Sequence, residues 1–212
     1  PLQASNPAGV AVMPPPPRGL NALPLPAARV RPDPSFGARG GAKAGEARLK
    51  VWMHREGAVT SYKETRNQLD GLFYSSFLSP WLANGSLAVS KLAWELDQFE
   101  KLHGANDSTR HFYSELLWRE FFYRREVEDS SSLFRAKGTA RERKLVTFDP
   151  RGFARWCAGA TDYPLVNALM HQLVESGWMS NRGRQIAASC LVNETNVDWR
   201  FGAAFFEQHL LD

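Results

Sequence analysis

The sequence predicts an all-α domain over residues 35–212, preceded by a proline-rich linker at 1–34. Three observations carry this. Ten of the 13 prolines fall in residues 1–34, and Met13-Pro14-Pro15-Pro16-Pro17-Arg18 sustains neither a helix nor a sheet ladder. All seven tryptophans lie at or after Trp52, which marks where a core begins. Beyond that point apolar residues recur at helical spacing, with no clear strand alternation. The linker reads as a partly polyproline II spacer; a docking peptide for a proline-reading domain is the alternative.

The elements follow in order. Gly37-Ala38-Arg39-Gly40-Gly41 is loose, and it is no phosphate loop because no Gly-Lys-Ser/Thr follows. Residues 42–56 are predicted helical. Residues 86–103 form a helix capped by Ser86, with Leu92, Leu96 and Phe99 on one stripe and Gly104 closing it. Residues 109–128 form the longest helix. Phe112, Tyr113, Leu116, Leu117, Trp118, Phe121 and Phe122 surround nearly its whole circumference, which predicts burial. Residues 164–176 open on Pro164 and close at Gly177. Residues 180–192 and 199–211 complete the set.

Composition bounds the function. The 212 residues are 43% hydrophobic and 23% charged, as a water-soluble fold requires. No apolar run approaches the roughly 18 residues of a membrane span, and no signal peptide is recognisable. The start at Pro1 reads as a processed chain or a fragment. Residues 1–60 hold eight Lys/Arg and three Asp/Glu, and residues 61–212 hold 18 and 19. The net charge of +4 therefore sits at the start, and the body needs a local basic patch to bind nucleic acid. Cys157 and Cys190 make no disulfide framework, and no Cys/His spacing suggests zinc.

Four groups of residues ask for chemistry. Glu115 and Arg119, at i, i+4, are either a buried ion pair fixing helix register or the polar floor of a pocket, with Trp118 stacking on something flat. Tyr74-Ser75-Ser76-Phe77-Leu78-Ser79-Pro80-Trp81 clusters three hydroxyls before a proline, as a phosphate site or an ordinary capping turn would. Asn181, Arg182, Arg184 and Gln185 beside Trp178 suit anion or base recognition, or a solvated helix start. Asp198-Trp199-Arg200 reads as a cap followed by a core tryptophan. His54, His103, His111, His171 and His209 have no i, i+4 partner and receive no catalytic role.

Five strings in order resemble one family, the photolyase/cryptochrome flavoproteins, and their DASH branch most. They are Tyr62-Lys63-Glu64-Thr65-Arg66-Asn67, the run Ser75 to Gly85, Glu115-Leu116-Leu117-Trp118-Arg119-Glu120-Phe121-Phe122, the run Gly177 to Gln185, and Asp198-Trp199-Arg200-Phe201-Gly202. The resemblance covers roughly residues 36–212. It implies the helical FAD-binding domain of that family, truncated at its C-terminus and without the α/β antenna domain. It implies FAD as cofactor, with an antenna folate or deazaflavin in the longer parent only. By the same resemblance Ser75, Ser76, Leu78 and Ser79 hold the FAD phosphates, and Tyr62, Phe77, Phe112, Glu115 and Trp178 also touch the cofactor. Arg119, Asn181 and Arg184 surround the flavin ring, with Asp212 as the partner of Arg184. Glu115, Trp118 and Asn181 meet a damaged pyrimidine pair. Arg66, Trp118, Arg182 and Gln185 lie on the DNA side, and Trp199 is the middle tryptophan of an electron relay. Val146 stands where the family has the outer relay tryptophan, and Phe77 where it has a basic residue.

The activity so implied is a blue-light DNA photolyase, splitting cyclobutane pyrimidine dimers in single-stranded DNA by photoinduced electron transfer. The cofactor carries the hard chemistry and the protein positions it. The resemblance implies UV-damaged DNA as partner, no membrane, a monomer, and a soluble intracellular location. A flavin photoreceptor without repair activity and a truncated inactive fragment are the alternatives.

Overall fold

The computed structural model describes residues 39–140 and 149–212; the proline-rich segment and Val146 lie outside them. Among the described residues the chain is helical and contains no strand. Helix α1 spans Ala42–Leu49 and continues π-helically over Lys50–Arg55. It buries Leu49, Trp52 and Met53. Gly45 is required on this face, because a Cβ there would stand 2.9 Å from Trp81 Cγ. A 3-10 turn at Ala58–Ser61 leads into the single-turn α2 at Tyr62–Thr65. After an irregular stretch, α3 covers Ser79–Ala83 and α4 Val89–His103.

Helix α4 starts later than predicted. Ala88 caps it, not Ser86, whose backbone N–H and hydroxyl both donate to Asn84 Oδ1 in a local turn. That turn outcompetes the cap for the same side chain. Leu92, Leu96 and Phe99 are buried as the stripe requires.

Helix α5 runs Asp107–Asp129, and a capping box starts it: Asn106 Oδ1 accepts from Thr109 N–H while Thr109 Oγ1 accepts from Asn106 N–H. Its predicted burial holds only for the first half. Phe112 and Leu116 are buried against α2 and α4, whereas Leu117, Trp118, Phe121, Phe122 and Tyr123 are exposed. An apolar circumference needs partners on every side, and the described residues cover only one.

The second half of the molecule comprises α6 (Pro150–Cys157), α7 (Pro164–Ser176), α8 (Asn181–Ser189, continued π-helically to Glu194) and α9 (Trp199–His209). Gly177 closes α7 at φ 72°, a left-handed conformation that suits a glycine. Asp198 caps α9 as predicted, accepting from Arg200 N–H at 3.0 Å. Trp199 is not a core residue, however; it is 36% exposed, and its indole N–H donates to Ala136 O at 3.1 Å.

Two cores result. One gathers Leu49, Trp52, Leu78, Trp81, Leu92, Phe99 and Phe112 from α1 to α5. The other gathers Trp156, Leu169, Met170, Leu173, Met179 and Leu191 from α6 to α9. Tyr74, Phe77 and Trp178 form a small aromatic cluster that joins the irregular stretch to the second half.

Candidate functional site

A cavity of about 290 Å³ lies between the two cores. Its wall combines residues from α2, the 74–79 turn, the inner half of α5, the entry to α8, and Asp212. The turn is shaped from behind by Arg48 on α1. Its Nη2 donates to Leu72 O at 2.6 Å and Ser75 O at 3.4 Å, and its Nε to Ser76 O at 2.9 Å. The guanidinium also lies 5.1 Å from the centre of the Phe77 ring. Burial pulls the Arg48 pKa below the ordinary arginine value. Phe77 adopts φ 57°, unusual for a bulky residue. Its ring stacks on Trp178 at 4.6 Å and meets Tyr74 edge-on at 5.0 Å, which holds it there.

Three guanidinium groups line the cavity. Arg184 Nε donates to Met179 O at 2.9 Å, and its Nη2 reaches both Asp212 oxygens at 2.9 and 3.0 Å. It also lies 5.5 Å from the centre of the Trp178 ring. Arg119 Nη2 donates to Leu82 O at 3.3 Å. Arg66 Nη1 donates to Glu115 Oε1 and to His111 Nε2. The i, i+4 pairing of Glu115 with Arg119 does not form; Arg66, just past the end of α2, takes the carboxylate instead. The Tyr62 hydroxyl is pushed up to about 12, first by burial and then by the Glu115 carboxylate. Burial likewise raises the pKa of Tyr74.

All thirteen residues expected at the cofactor line this one cavity: Tyr62, Ser75, Ser76, Phe77, Leu78, Ser79, Phe112, Glu115, Arg119, Trp178, Asn181, Arg184 and Asp212. Arg66, expected on the DNA side, lines it too. Arg182 and Gln185 do not. They flank a separate open groove, where Arg182 donates to Gln185 Oε1 and Asn67 Oδ1, each at 2.9 Å. Trp118 and Trp199 also lie outside the cavity; Trp118 is 54% exposed, with Phe122 stacked on it at 5.9 Å. Among the described residues no cluster of His, Cys, Asp or Glu could hold a metal.

Arg48, Tyr74 and His111 belong to this region and were not singled out from the sequence. Arg48 acts across 24 to 28 residues, a separation that no local pattern reveals. His111 had a signal that was passed over: Glu115 lies four residues on, and their nearest polar atoms are 3.3 Å apart.

The donor set fits a dinucleotide with a flat ring. Ser75, Ser76 and Ser79 offer hydroxyls to phosphate oxygens, and Arg119 and Arg184 offer guanidinium N–H groups to the polar edge of a ring. Trp178 and Phe112 offer flat apolar surface.

Comparison with known proteins agrees. Residues 112–212 match the FAD binding domain of DNA photolyase. The chain is 49% identical to the cryptochrome DASH of Vibrio parahaemolyticus over 173 residues, covering 82% of this chain and 39% of that protein. It is 40% identical to the chloroplastic/mitochondrial cryptochrome DASH of Oryza sativa, covering 82% of this chain and 30% of that one. The crystal structure of the Synechocystis cryptochrome superposes with a TM-score of 0.81 at 41% identity, over 82% of this chain and 36% of that chain. A bacterial class III photolyase from Agrobacterium tumefaciens gives 0.72 at 29% identity, over 81% and 35%. The chain thus spans under two fifths of the length of the curated relatives it matches. Among the described residues no helix is long and apolar enough to cross a membrane. A helical body, a cavity whose donors suit a dinucleotide, and these matches together identify the chain as a member of the photolyase/cryptochrome family, related to its DASH cryptochromes.

Proposed function

We propose that this chain belongs to a FAD-dependent blue-light photolyase of the DASH type, which splits cyclobutane pyrimidine dimers in single-stranded DNA. Residues 35–212 would contribute the helical FAD-binding unit, and residues 1–34 a linker. The observation that carries the reading is the cavity between the two cores, which draws hydroxyls, guanidinium groups and aromatic faces together from both halves of the chain. Bound and reduced, FAD would supply the light-driven electron that such a reaction requires.

The chain's own residues bind and orient. Ser75, Ser76 and Ser79 would donate to phosphate oxygens, and Arg119 and Asn181 would face the flavin ring. Arg184, fixed by Asp212, would hold the edge of the flavin ring. Glu115 Oε1 is engaged by Arg66, which leaves Oε2 to accept from a pyrimidine N–H. An unpaired strand suits this pocket because extruding its bases costs a few kcal/mol less.

The test is the absorption spectrum of the chain after incubation with FAD and desalting. A retained flavin band near ~450 nm is expected of a bound oxidised cofactor. The variant with Ser75, Ser76 and Ser79 all replaced by alanine should lose it. Full retention by that variant would refute the phosphate role. One observation favours a second reading, a photoreceptor without repair: Trp118, the expected wall of the lesion pocket, stands outside the cavity.

A further inference from the structure

Glu115 lines the cavity, and two groups converge on its Oε1. Arg66 Nη1 donates to it from the turn after α2, and His111 Nε2 stands 3.3 Å away, one turn back on α5. The same Arg66 nitrogen also meets His111 Nε2. A guanidinium has hydrogens to give and no lone pair to offer, so in that contact the imidazole nitrogen accepts. A neutral His111 with its proton on Nδ1 meets that requirement.

We propose that His111 is a proton-responsive positioning residue for the Arg66–Glu115 pair. Neutral, it accepts from Arg66 and keeps that guanidinium turned onto Glu115. Protonated, its Nε2 becomes a donor facing a donor, and two positive charges meet. The imidazolium then donates to Glu115 Oε1, and Arg66 is released from the carboxylate. The change takes one proton from solvent and adds one positive charge beside the cavity. Solvent reaches the ring, because the His111 side chain is 30% exposed.

From α2 and the turn after it, Tyr62 and Arg66 face the imidazole, with the Tyr62 ring centre 6.1 Å away. Lys63 is occupied by Asp107 at 3.4 Å, and Glu64 accepts from Ser108 Oγ at 2.8 Å. From α4, Glu100 accepts from Thr109 Oγ1.

Nitrogen-edited NMR of the imidazoles, on the chain without ligand, tests the proposal; the signal missing in His111→Gln assigns the residue. At alkaline pH the expected form carries its proton on Nδ1. In Arg66→Met the ring should take up its second proton at a pH about one unit higher than in the parent chain, and in Glu115→Gln at a lower pH. A proton on Nε2 at alkaline pH, or titration unmoved in Glu115→Gln, would overturn the proposal. Glu115→Gln is nearly isosteric and decides alone should Arg66→Met fail to fold. A second arm rests on the flavin reading. FAD affinity should rise as the imidazole takes up its second proton. His111→Gln, whose amide oxygen still accepts from Arg66, should flatten that profile, and a profile unchanged in His111→Gln would count against the proposal. Failure of both chains to bind FAD would sink the flavin reading alone, since the NMR arm needs no ligand.

Discussion

Tyr62 shows how one side chain couples cavity and stability. Its hydroxyl titrates near 12 in the fold against an ordinary value of 10.0, because burial and Glu115 both disfavour the phenolate. The folded state thus keeps a proton that the unfolded chain releases. The contribution is fully present below about pH 10 and is lost as pH rises toward 12, a loss of roughly 2–3 kcal/mol. Denaturant titrations across that window should show a shallower loss for Tyr62→Phe than for the parent chain. Identical slopes would mean that Tyr62 is not desolvated as described. Trp118 poses the complementary question. If its exposed ring stacks on a base, Trp118→Ala should weaken binding of dimer-containing single-stranded DNA by about 1–3 kcal/mol. Unchanged binding would favour the photoreceptor reading.

At the scale of elements, the 72–77 stretch has little regular structure and borrows its shape from Arg48. Three of its carbonyls lean on one guanidinium. In Arg48→Met they would lose that partner, at a cost of about 1–2 kcal/mol, since Leu72 is exposed and Ser75 and Ser76 are half-buried. Hydrogen exchange at residues 74–78 should then quicken by about tenfold or more, while α7 exchanges as before. Exchange unchanged in both would remove Arg48 from its positioning role. Local rules made part of the fold legible. Pro164 and Gly177 marked both ends of α7, and Asp198 marked the start of α9, because capping depends on adjacent residues. Ser86 misled because Asn84 competes for it within the same turn. The outer half of α5 misled because its pattern says that residues are apolar and does not say what covers them. Spacing alone left Ser75, Glu115, Arg119 and Asn181 open between a binding role and an ordinary structural one, and only the resemblance chose between them. Of the two readings of Glu115, the ion pair with Arg119 does not form, because Arg66 takes the carboxylate across 49 residues.

At the scale of the molecule, the cavity is assembled from distant stretches of chain. Tyr62 and Asp212 share its wall across most of the sequence. Each core is built from consecutive helices, so each gathers mainly local contacts. Between them the described aromatic bridge is small: Tyr74 and Phe77 on one side, Trp178 on the other. Calorimetry should therefore resolve two unfolding transitions for the chain alone. Saturating FAD should draw them together and raise the lower one, since a ligand that binds only the assembled wall stabilises that assembly by mass action. A single transition without ligand would show that the bridge already couples the halves.

The place of the cavity also bears on how the protein is made. A wall completed by Asp212 exists only after the last described helix has been synthesised and docked. The first core can condense around Trp52 and Phe112 well before that. Until the second half arrives, Tyr74 and Phe77 have no Trp178 to cover them. The nascent chain thus passes through a stage in which its future binding surface is an open, apolar flank. On the flavin reading, only FAD captured once Asp212 has docked can close that flank, and equal yields of soluble protein with and without added FAD would rule this out.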